Sequence, residues 1–192
     1  MLRRLYDRTL ALAGHPHALF WLGVVAFIES SVFPVPPHFL LIAMVLASPD
    51  RAWRIAAVCT IASVFGGYLG YGIGYFLFDA FGEPVIAFYG AEEQFAAFRE
   101  AYNQWGPWIV AFFGFTPFPY KVITIASGVT AMDVLAFGAA SLASRGAIFF
   151  LMAGLLKYFG PPMRVFIERR LGLVCTIGFL LVLAGFVGLK YL

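Results

Sequence analysis

The chain has 192 residues, enough for one domain or for two small ones. Apolar residues make up 62% of it and charged residues 12%, whereas a soluble domain is about 45–50% apolar and about 25% charged. So few charges cannot cover the apolar surface of a water-soluble protein, particularly with 22 Phe, nine Tyr and four Trp. The composition predicts an integral membrane protein whose main partner is lipid. It excludes a disordered chain, a secreted disulfide scaffold and, at a net charge of +3, a nucleic-acid-binding module.

The first apolar run, 18–47, follows a basic N-terminal segment and is interrupted by an acid, Glu29, and by a proline cluster. The cluster consists of Pro34, Pro36 and Pro37. It cannot continue a helix, because proline fixes φ and lacks a backbone donor. The flanking pieces, 18–30 and 38–47, are too short to cross a hydrocarbon core of about 30 Å at about 1.5 Å per residue. We predict a re-entrant hairpin with a proline tip; one kinked helix that crosses fully is the alternative.

The second apolar run, 55–78, begins after a loop with Arg51 and Arg54 and is rich in glycine. The spacing of Gly66 and Gly70 is a small-xxx-small pattern that lets helices approach closely. We expect this face to pack against a hairpin, with pairing to a second protomer as the alternative. No predicted strand precedes the glycines, so they do not indicate a nucleotide-binding loop.

Residues 79–106 are the one long polar stretch, and five acids against Arg99 give them a net charge of −4. The acids are Asp79, Glu83, Glu92, Glu93 and Glu100. Aromatic residues recur at helical spacing within 83–105: Phe88, Phe95, Phe98 and Tyr102. This pattern predicts an amphipathic helix that lies at the membrane surface as a structural brace.

A third apolar run, 107–131, is broken by Pro117 and Pro119 and predicts a second hairpin. Three further segments follow: an apolar span at 134–156, a basic segment at 157–170 and an uncharged span at 171–189, about the length of a crossing helix.

The Lys/Arg distribution favours hairpins over full crossings. If both proline-broken runs turn back from a cytoplasmic N-terminus, Arg51, Arg54 and 157–170 are cytoplasmic and the acidic stretch 79–106 is outside. If both runs cross, the two arginines lie outside instead. Because cytoplasmic loops carry the excess of Lys and Arg, we predict hairpins in a multi-pass protein of the cell inner membrane.

The predicted architecture is an all-α membrane domain over 1–192 with two halves of inverted topology. Each half is a hairpin followed by a spanning helix, at 18–78 and 107–156, and 171–189 is a third spanning helix. Interrupted segments at corresponding positions of two halves indicate a transporter's binding site.

Glu29, Lys121 and Arg145 are the charged residues that the apolar runs hold near these interruptions. An ionisable residue inside a membrane is a functional hypothesis by default. Glu29 is a candidate proton carrier, or a carboxylate that pairs with a nearby base. Lys121 and Arg145 are candidates for an anion site, assisted by half-helix N-termini; alternatively, one of them neutralises Glu29.

Polar side chains near the same positions could line a cavity, although a hydroxyl there more often satisfies broken backbone. They are Ser30, Ser31, His38, Thr116, Tyr120, Ser127 and Ser144.

Cys59 and Cys175 lie in apolar runs, which is typical of buried thiols. We expect no metal, no cofactor and no catalytic activity, because no zinc, phosphate-loop or nucleophile motif is present. An intramembrane lipid-modifying enzyme is the remaining enzymatic alternative. The first run lacks a cleavage site, so no signal peptide is expected.

Four motifs together resemble the DedA family, also called VTT or SNARE-associated-type membrane proteins, in its YqaA-like branch. They are Glu29 with Phe33-Pro34-Val35-Pro36-Pro37, Gly-Gly-Tyr-Leu-Gly-Tyr at 66–71, Phe115-Thr116-Pro117-Phe118-Pro119-Tyr120-Lys121 leading to Ala126-Ser127-Gly128, and Ser144-Arg145-Gly146. The resemblance covers roughly 18–160.

The resemblance implies two opposed re-entrant hairpins and translocation of a phosphate-bearing lipid, with proton coupling suspected. The family's acidic position corresponds to Glu29. Its pattern also places an arginine before the second proline turn and another just after it. Here Gly114 stands at the first position and Lys121, offset by one residue, near the second, so the family's substrate does not transfer directly. We expect a flippase-like transporter, with a non-transporting membrane-homeostasis or assembly factor as the alternative.

Overall fold

The computed structural model describes residues 17–31, 37–116 and 118–160, and every regular element in these ranges is helical. The helices are α1 (Ala18–Ser31), α2 (His38–Ala47), α3 (Ala52–Leu77), α4 (Glu83–Tyr89), α5 (Glu92–Phe115), α6 (Tyr120–Val129) and α7 (Val134–Phe159). A 3₁₀ turn, Pro49–Arg51, precedes α3, and a π-helical turn, Phe78–Gly82, joins α3 to α4. The all-α class is confirmed for these residues. Pro34, Pro36, Pro117 and the predicted span 171–189 lie outside them.

The prolines set helix ends where the sequence predicts them. Pro37 is the N-cap of α2, which begins at His38, and Ser48 caps its other end ahead of Pro49. Pro119 is the N-cap of α6 and has an extended ψ of 100°. The predicted short pieces 18–30 and 38–47 are thus confirmed as separate helices, with one further residue at the end of α1.

The predicted surface helix over 83–105 is wrong in its bounds. The helical path breaks at Gly90, whose φ of 60° requires the left-handed conformation that glycine tolerates, and restarts at Glu92. From there α5 continues through Pro107 to Phe115 instead of ending near 105. Packing on both sides of the proline holds this path, because Gly106 lies against Met132 before it and Gly114 lies against Ser144 after it. The surface helix and the first arm of the second proline-broken run are therefore one element.

α1 lies along α3 in the same direction. Gly23 lies against Val58 and Ala62, whereas a Cβ atom at Gly66 would overlap the carbonyl oxygen of Phe27. The contacts therefore move toward the C-terminal end of both helices at once, as they do in a parallel pair. Close packing of the Gly66 face is confirmed, and its partner is α1; that α1 belongs to a hairpin stays a prediction.

α5 and α6 run antiparallel on either side of the Pro119 turn. Tyr102 bonds to Ser127 at one end of the pair, with 3.0 Å between the hydroxyl oxygens. At the other end, a Cβ atom at Gly114 would lie 3.3 Å from the Tyr120 ring. The chain therefore reverses direction between these two helices.

α3 and α7, with 26 residues each, are the longest helices in the described part of the chain, and they cross antiparallel. Gly138 lies against Tyr68, Gly146 faces Thr60, and a Cβ atom at Gly154 would lie 3.2 Å from Trp53. The stretches Pro49–Tyr89 and Val134–Phe159 are long and apolar enough to cross a membrane by length and composition.

Two apolar clusters stabilise the packing of these helices. The first joins α1, α2 and the start of α3 to the end of α7, and the second joins α5 and α6 to the middle of α3 and the start of α7. Large apolar side chains also cover the outside of the molecule, including Phe88 at 83% exposure and Leu135 at 80%. The space between the two clusters contains the buried charges described next.

Candidate functional site

Glu29 and Arg145 form an ion pair between α1 and α7, with 3.1 Å between Arg145 Nη2 and Glu29 Oε2. The arginine side chain is only 3% exposed, and the carboxylate side chain is 15% exposed. Residues 116 positions apart in sequence thus meet where the two halves of the chain join. The predicted alternative in which a base neutralises Glu29 is confirmed, and the base is Arg145.

Two buried serines complete a hydrogen-bonded ring around the pair. Arg145 Nε donates to Ser63 Oγ at 2.7 Å, and the Ser63 and Ser30 hydroxyl oxygens are also 2.7 Å apart. Ser30 donates to Glu29 Oε2 at 3.2 Å. A serine hydroxyl has one hydrogen, so if Ser30 donates to the carboxylate, Ser63 must donate to Ser30. Every bond in the ring then has a donor and an acceptor.

The guanidinium of Arg145 is enclosed by aromatic rings. Its carbon lies 4.7 Å from the ring centroid of Tyr120 on α6 and 4.7 Å from that of Phe149 on α7. The Tyr120 hydroxyl donates to Ser141, which fixes the ring in place. Cation–π contacts are strongest where water is excluded, so these rings stabilise the buried cation without neutralising its charge.

Within the described part of the chain, Arg145 makes two hydrogen bonds. A guanidinium has five N–H donors in a planar fork. Nε donates to Ser63 and Nη2 makes one bond to Glu29. The other three N–H groups, including both on Nη1, have no acceptor among the described residues. The site therefore retains donors that suit a planar or tetrahedral oxyanion.

Lys121 does not join the pair. It is half-buried in the first turn of α6 and makes no ion pair within residues 17–31, 37–116 and 118–160. Its carbonyl accepts from the Thr124 hydroxyl, which also bonds to the Ser30 carbonyl of α1. Thr124 links the turn that holds Lys121 to the helix end that holds Glu29. The predicted anion site of Lys121 and Arg145 together stays a prediction.

The hydroxyls predicted to line a cavity are bonded in the protein. Ser31 and Thr116 donate to carbonyls of their own helices, as does Ser144, and Ser127 donates to Ile123 while pairing with Tyr102. These bonds match the alternative that hydroxyls satisfy backbone. Ser30 differs, because it belongs to the ring around the ion pair.

His38 lies beside the same region. Its ring centroid is 5.6 Å from that of Phe149, one of the two rings over Arg145. Pro37, which precedes it, is fully buried at the start of α2. His38 therefore packs against the wall of the charged site.

Ser63 and Phe149 were not predicted from the sequence. Ser63 is one hydroxyl in the apolar stretch 55–78, one helical turn before Gly66, and that position was its only signal. Phe149 is one of 22 phenylalanines, and nothing in its neighbours distinguishes it.

An apolar groove of about 540 Å³ lies elsewhere, on the outer side of α5. Its lining is almost wholly apolar and includes Tyr102, Trp105, Trp108 and Phe112. It contains none of the charged residues of the site. No group of three or more Cys, His, Asp or Glu side chains in the described part of the chain could hold a metal ion.

Two curated relatives match most of the chain. An uncharacterized protein of Haemophilus influenzae is 35% identical over 170 residues, which are 88% of this chain and 88% of the relative. An uncharacterized protein of Histophilus somni is 36% identical over 156 residues, 81% of each chain. The chain belongs to the family of these two bacterial proteins. No protein-family profile matches it, and no solved structure does.

Proposed function

We propose that the chain is a small membrane transporter of the DedA type that moves a phosphate-bearing lipid between the leaflets of the inner membrane. The observation that carries the proposal is the Glu29–Arg145 pair, in which three N–H donors of the arginine have no acceptor among the described residues. These donors suit the oxygens of an anionic ligand.

The packing of both halves supports a pair of re-entrant hairpins. α5 and α6 are antiparallel about the Pro119 turn. α1 follows α3 in direction, while α2 leads into α3 through four residues, 48–51, a connection typical of antiparallel neighbours. α3 and α7 then cross in opposite directions, as an inverted repeat requires.

Exposed aromatic and aliphatic side chains support insertion of this assembly into lipid. Side chains such as Phe65, Phe76 and Leu135 are more than 60% exposed. An apolar surface of this extent is stable against hydrocarbon and would aggregate in water. On this proposal, the lipid tails stay in the bilayer while only the head group enters the protein.

The charged site would hold the head group by charge-assisted hydrogen bonds. The free N–H groups of Arg145 bind phosphate oxygens, and Lys121 adds a second positive charge from the α6 turn. Glu29, the more exposed member of the pair, takes up a proton and thereby releases Arg145 to the phosphate. Proton binding and head-group binding are then linked at one residue.

A non-transporting membrane-homeostasis or assembly factor is the second candidate. The completeness of the Glu29–Ser30–Ser63–Arg145 ring favours it, because such a ring can fasten the two halves together without any ligand. In that case the hairpins are architectural and the buried charges fix the register of the helices.

Reconstitution separates the two candidates. The purified protein is placed in phosphatidylcholine vesicles that contain a small fraction of phosphatidic acid labelled on one acyl chain with a fluorophore. Loss of lipid from the outer leaflet is followed by back-extraction, with and without a pH gradient. We expect transfer by the native protein and its loss in Glu29→Gln and Arg145→Ala. Thr60→Val is the matched control, because its hydroxyl donates to Ala56 of its own helix.

Transfer of chemically unchanged lipid supports a transporter, whereas a modified product in the extract supports an enzyme. No transfer and no product by the folded native protein would contradict the proposed function and leave the assembly factor.

A further inference from the structure

We propose that Ser63 is a positioning residue that keeps Arg145 in a single hydrogen bond with Glu29 and so leaves the guanidinium available to an anionic head group. This inference rests on the proposed function for its ligand, although the geometry behind it stands alone. Ser63 touches the cation and not the ligand, so it acts through Arg145.

The ion pair lacks the geometry that arginine and carboxylate usually adopt. A guanidinium fork matches both carboxylate oxygens and commonly binds them through two parallel hydrogen bonds. Here only Nη2 reaches the carboxylate, and it does so at Oε2. Among the described residues, no hydrogen bond reaches Glu29 Oε1. The second point of attachment is missing although both groups are close together.

Ser63 accounts for the missing bond. Its hydroxyl oxygen accepts from Nε at 2.7 Å, shorter than the 3.1 Å bond from Nη2 to the carboxylate. The serine is fully buried on α3, between α1 and α7. A neutral hydroxyl satisfies the donor but leaves the positive charge of the guanidinium in place. Ser30 links Ser63 to the carboxylate, since it hydrogen-bonds to both Ser63 and Glu29.

Removal of the Ser63 hydroxyl should convert the single hydrogen bond between Arg145 and Glu29 into a two-point pair. In Ser63→Ala, Nε has no acceptor, and a buried donor without an acceptor is unfavourable. The free carboxylate oxygen of Glu29 is the acceptor that a small rotation of the guanidinium would bring within reach. A two-point pair would then neutralise Arg145 more completely, and a phosphate would have to break two charged bonds instead of one.

Two measurements on the full-length protein in detergent micelles test the inference. The first is the affinity for short-chain phosphatidic acid, measured by titration calorimetry. We expect Ser63→Ala to weaken it about tenfold or more, the equivalent of one charge-assisted hydrogen bond. The second is the ¹⁵N–¹H signal of Arg145 Nε, assigned by its loss in Arg145→Lys. We expect it to shift in Ser63→Ala, as Nε exchanges a hydroxyl acceptor for the carboxylate, and to shift differently when Glu29→Gln removes that carboxylate.

Thr60→Val is the control for both measurements, because Thr60 lies one turn before Ser63 and its hydroxyl donates to Ala56 of the same helix. Ser30→Ala is a second comparison that keeps the acceptor of Nε, so the Nε signal should stay in place. An unchanged Nε signal in Ser63→Ala overturns the inference, as does a shifted signal with undiminished phosphatidic acid affinity. If the native protein does not bind the lipid at all, the proposed function fails, and a Glu29-dependent Nε shift still supports the positioning role.

Discussion

At the scale of single residues, the Glu29–Arg145 pair is both a constraint on the fold and a source of chemistry. A buried pair gains little over apolar residues of the same volume, because desolvation offsets the attraction. Removal of one of the two charged side chains is nevertheless costly, since the other charge then stays inside the protein without a partner. The pair therefore specifies which residues of α1 and α7 face each other more than it adds to stability.

Removal of one charge of the pair should therefore destabilise the protein more than removal of both charges. We expect Glu29→Leu and Arg145→Met each to lower the free energy of unfolding by about 3 kcal/mol. The double variant should lose less than either single one, because no charge is left unpaired. Chemical unfolding in micelles, followed by circular dichroism, measures the four proteins. Losses that simply add would show that the two side chains do not interact.

The pair could be predicted only in outline from the sequence. Glu29 and Arg145 were each conspicuous as single charges in apolar runs, and an acid in lipid needs a partner. Lys121 was an equal candidate on that argument, because sequence distance does not tell which base reaches the carboxylate. Ser63 could not be predicted, since a lone hydroxyl in an apolar helix is common and its role depends on the crossing of α1, α3 and α7.

At the scale of helices, the sequence predicted helix ends well where a proline restricts the backbone directly. Pro37 and Pro119 precede the helices they were expected to begin. The predicted end of the surface helix at 105 was wrong, because α5 passes through Pro107 while Gly106 packs against Met132 and Gly114 against Ser144. Tertiary packing outweighed the loss of one backbone donor there, and no local pattern records that packing.

The glycines of α3 provide a test of helix packing within one element. A Cβ atom at Gly66 would overlap the backbone of α1 at Phe27, which cannot move aside as a side chain can. A Cβ atom at Gly72 meets nothing within 4 Å. We expect Gly66→Ala to destabilise the protein by about 2 kcal/mol through overpacking. Gly72→Ala should stabilise it by about 0.5–1 kcal/mol, because alanine is the better helix former.

Thermal unfolding of both glycine variants beside the native protein gives the comparison. Since both positions lie on α3 and receive the same methyl group, helix propensity cancels between them and packing remains. Equal melting temperatures for the two variants would contradict the close contact of α1 with α3.

At the scale of the whole molecule, the packing implies a path for the chain relative to a membrane. The start of α3 and the end of α7 lie at one end of the crossed pair, since Trp53 meets the helix turn at Gly154. The polar stretch that contains α4 lies beyond the other end of α3. If these two ends correspond to the two sides of a bilayer, the basic loop and the acidic stretch face opposite compartments, with the arginines in the cytoplasm.

Single cysteines report this path directly in intact cells. In a Cys59→Ala, Cys175→Ala background, we expect Glu93→Cys to react with a membrane-impermeant maleimide and Asp50→Cys to react only after the cells are opened. Both native side chains are exposed, so access reports the compartment. Tyr158→Cys is the control, because it is cytoplasmic whether the proline-broken runs turn back or cross. The opposite pattern, with Asp50→Cys labelled from outside and Glu93→Cys protected, would mean that both runs cross fully and that no re-entrant hairpins bring Glu29 to Arg145 from opposite faces.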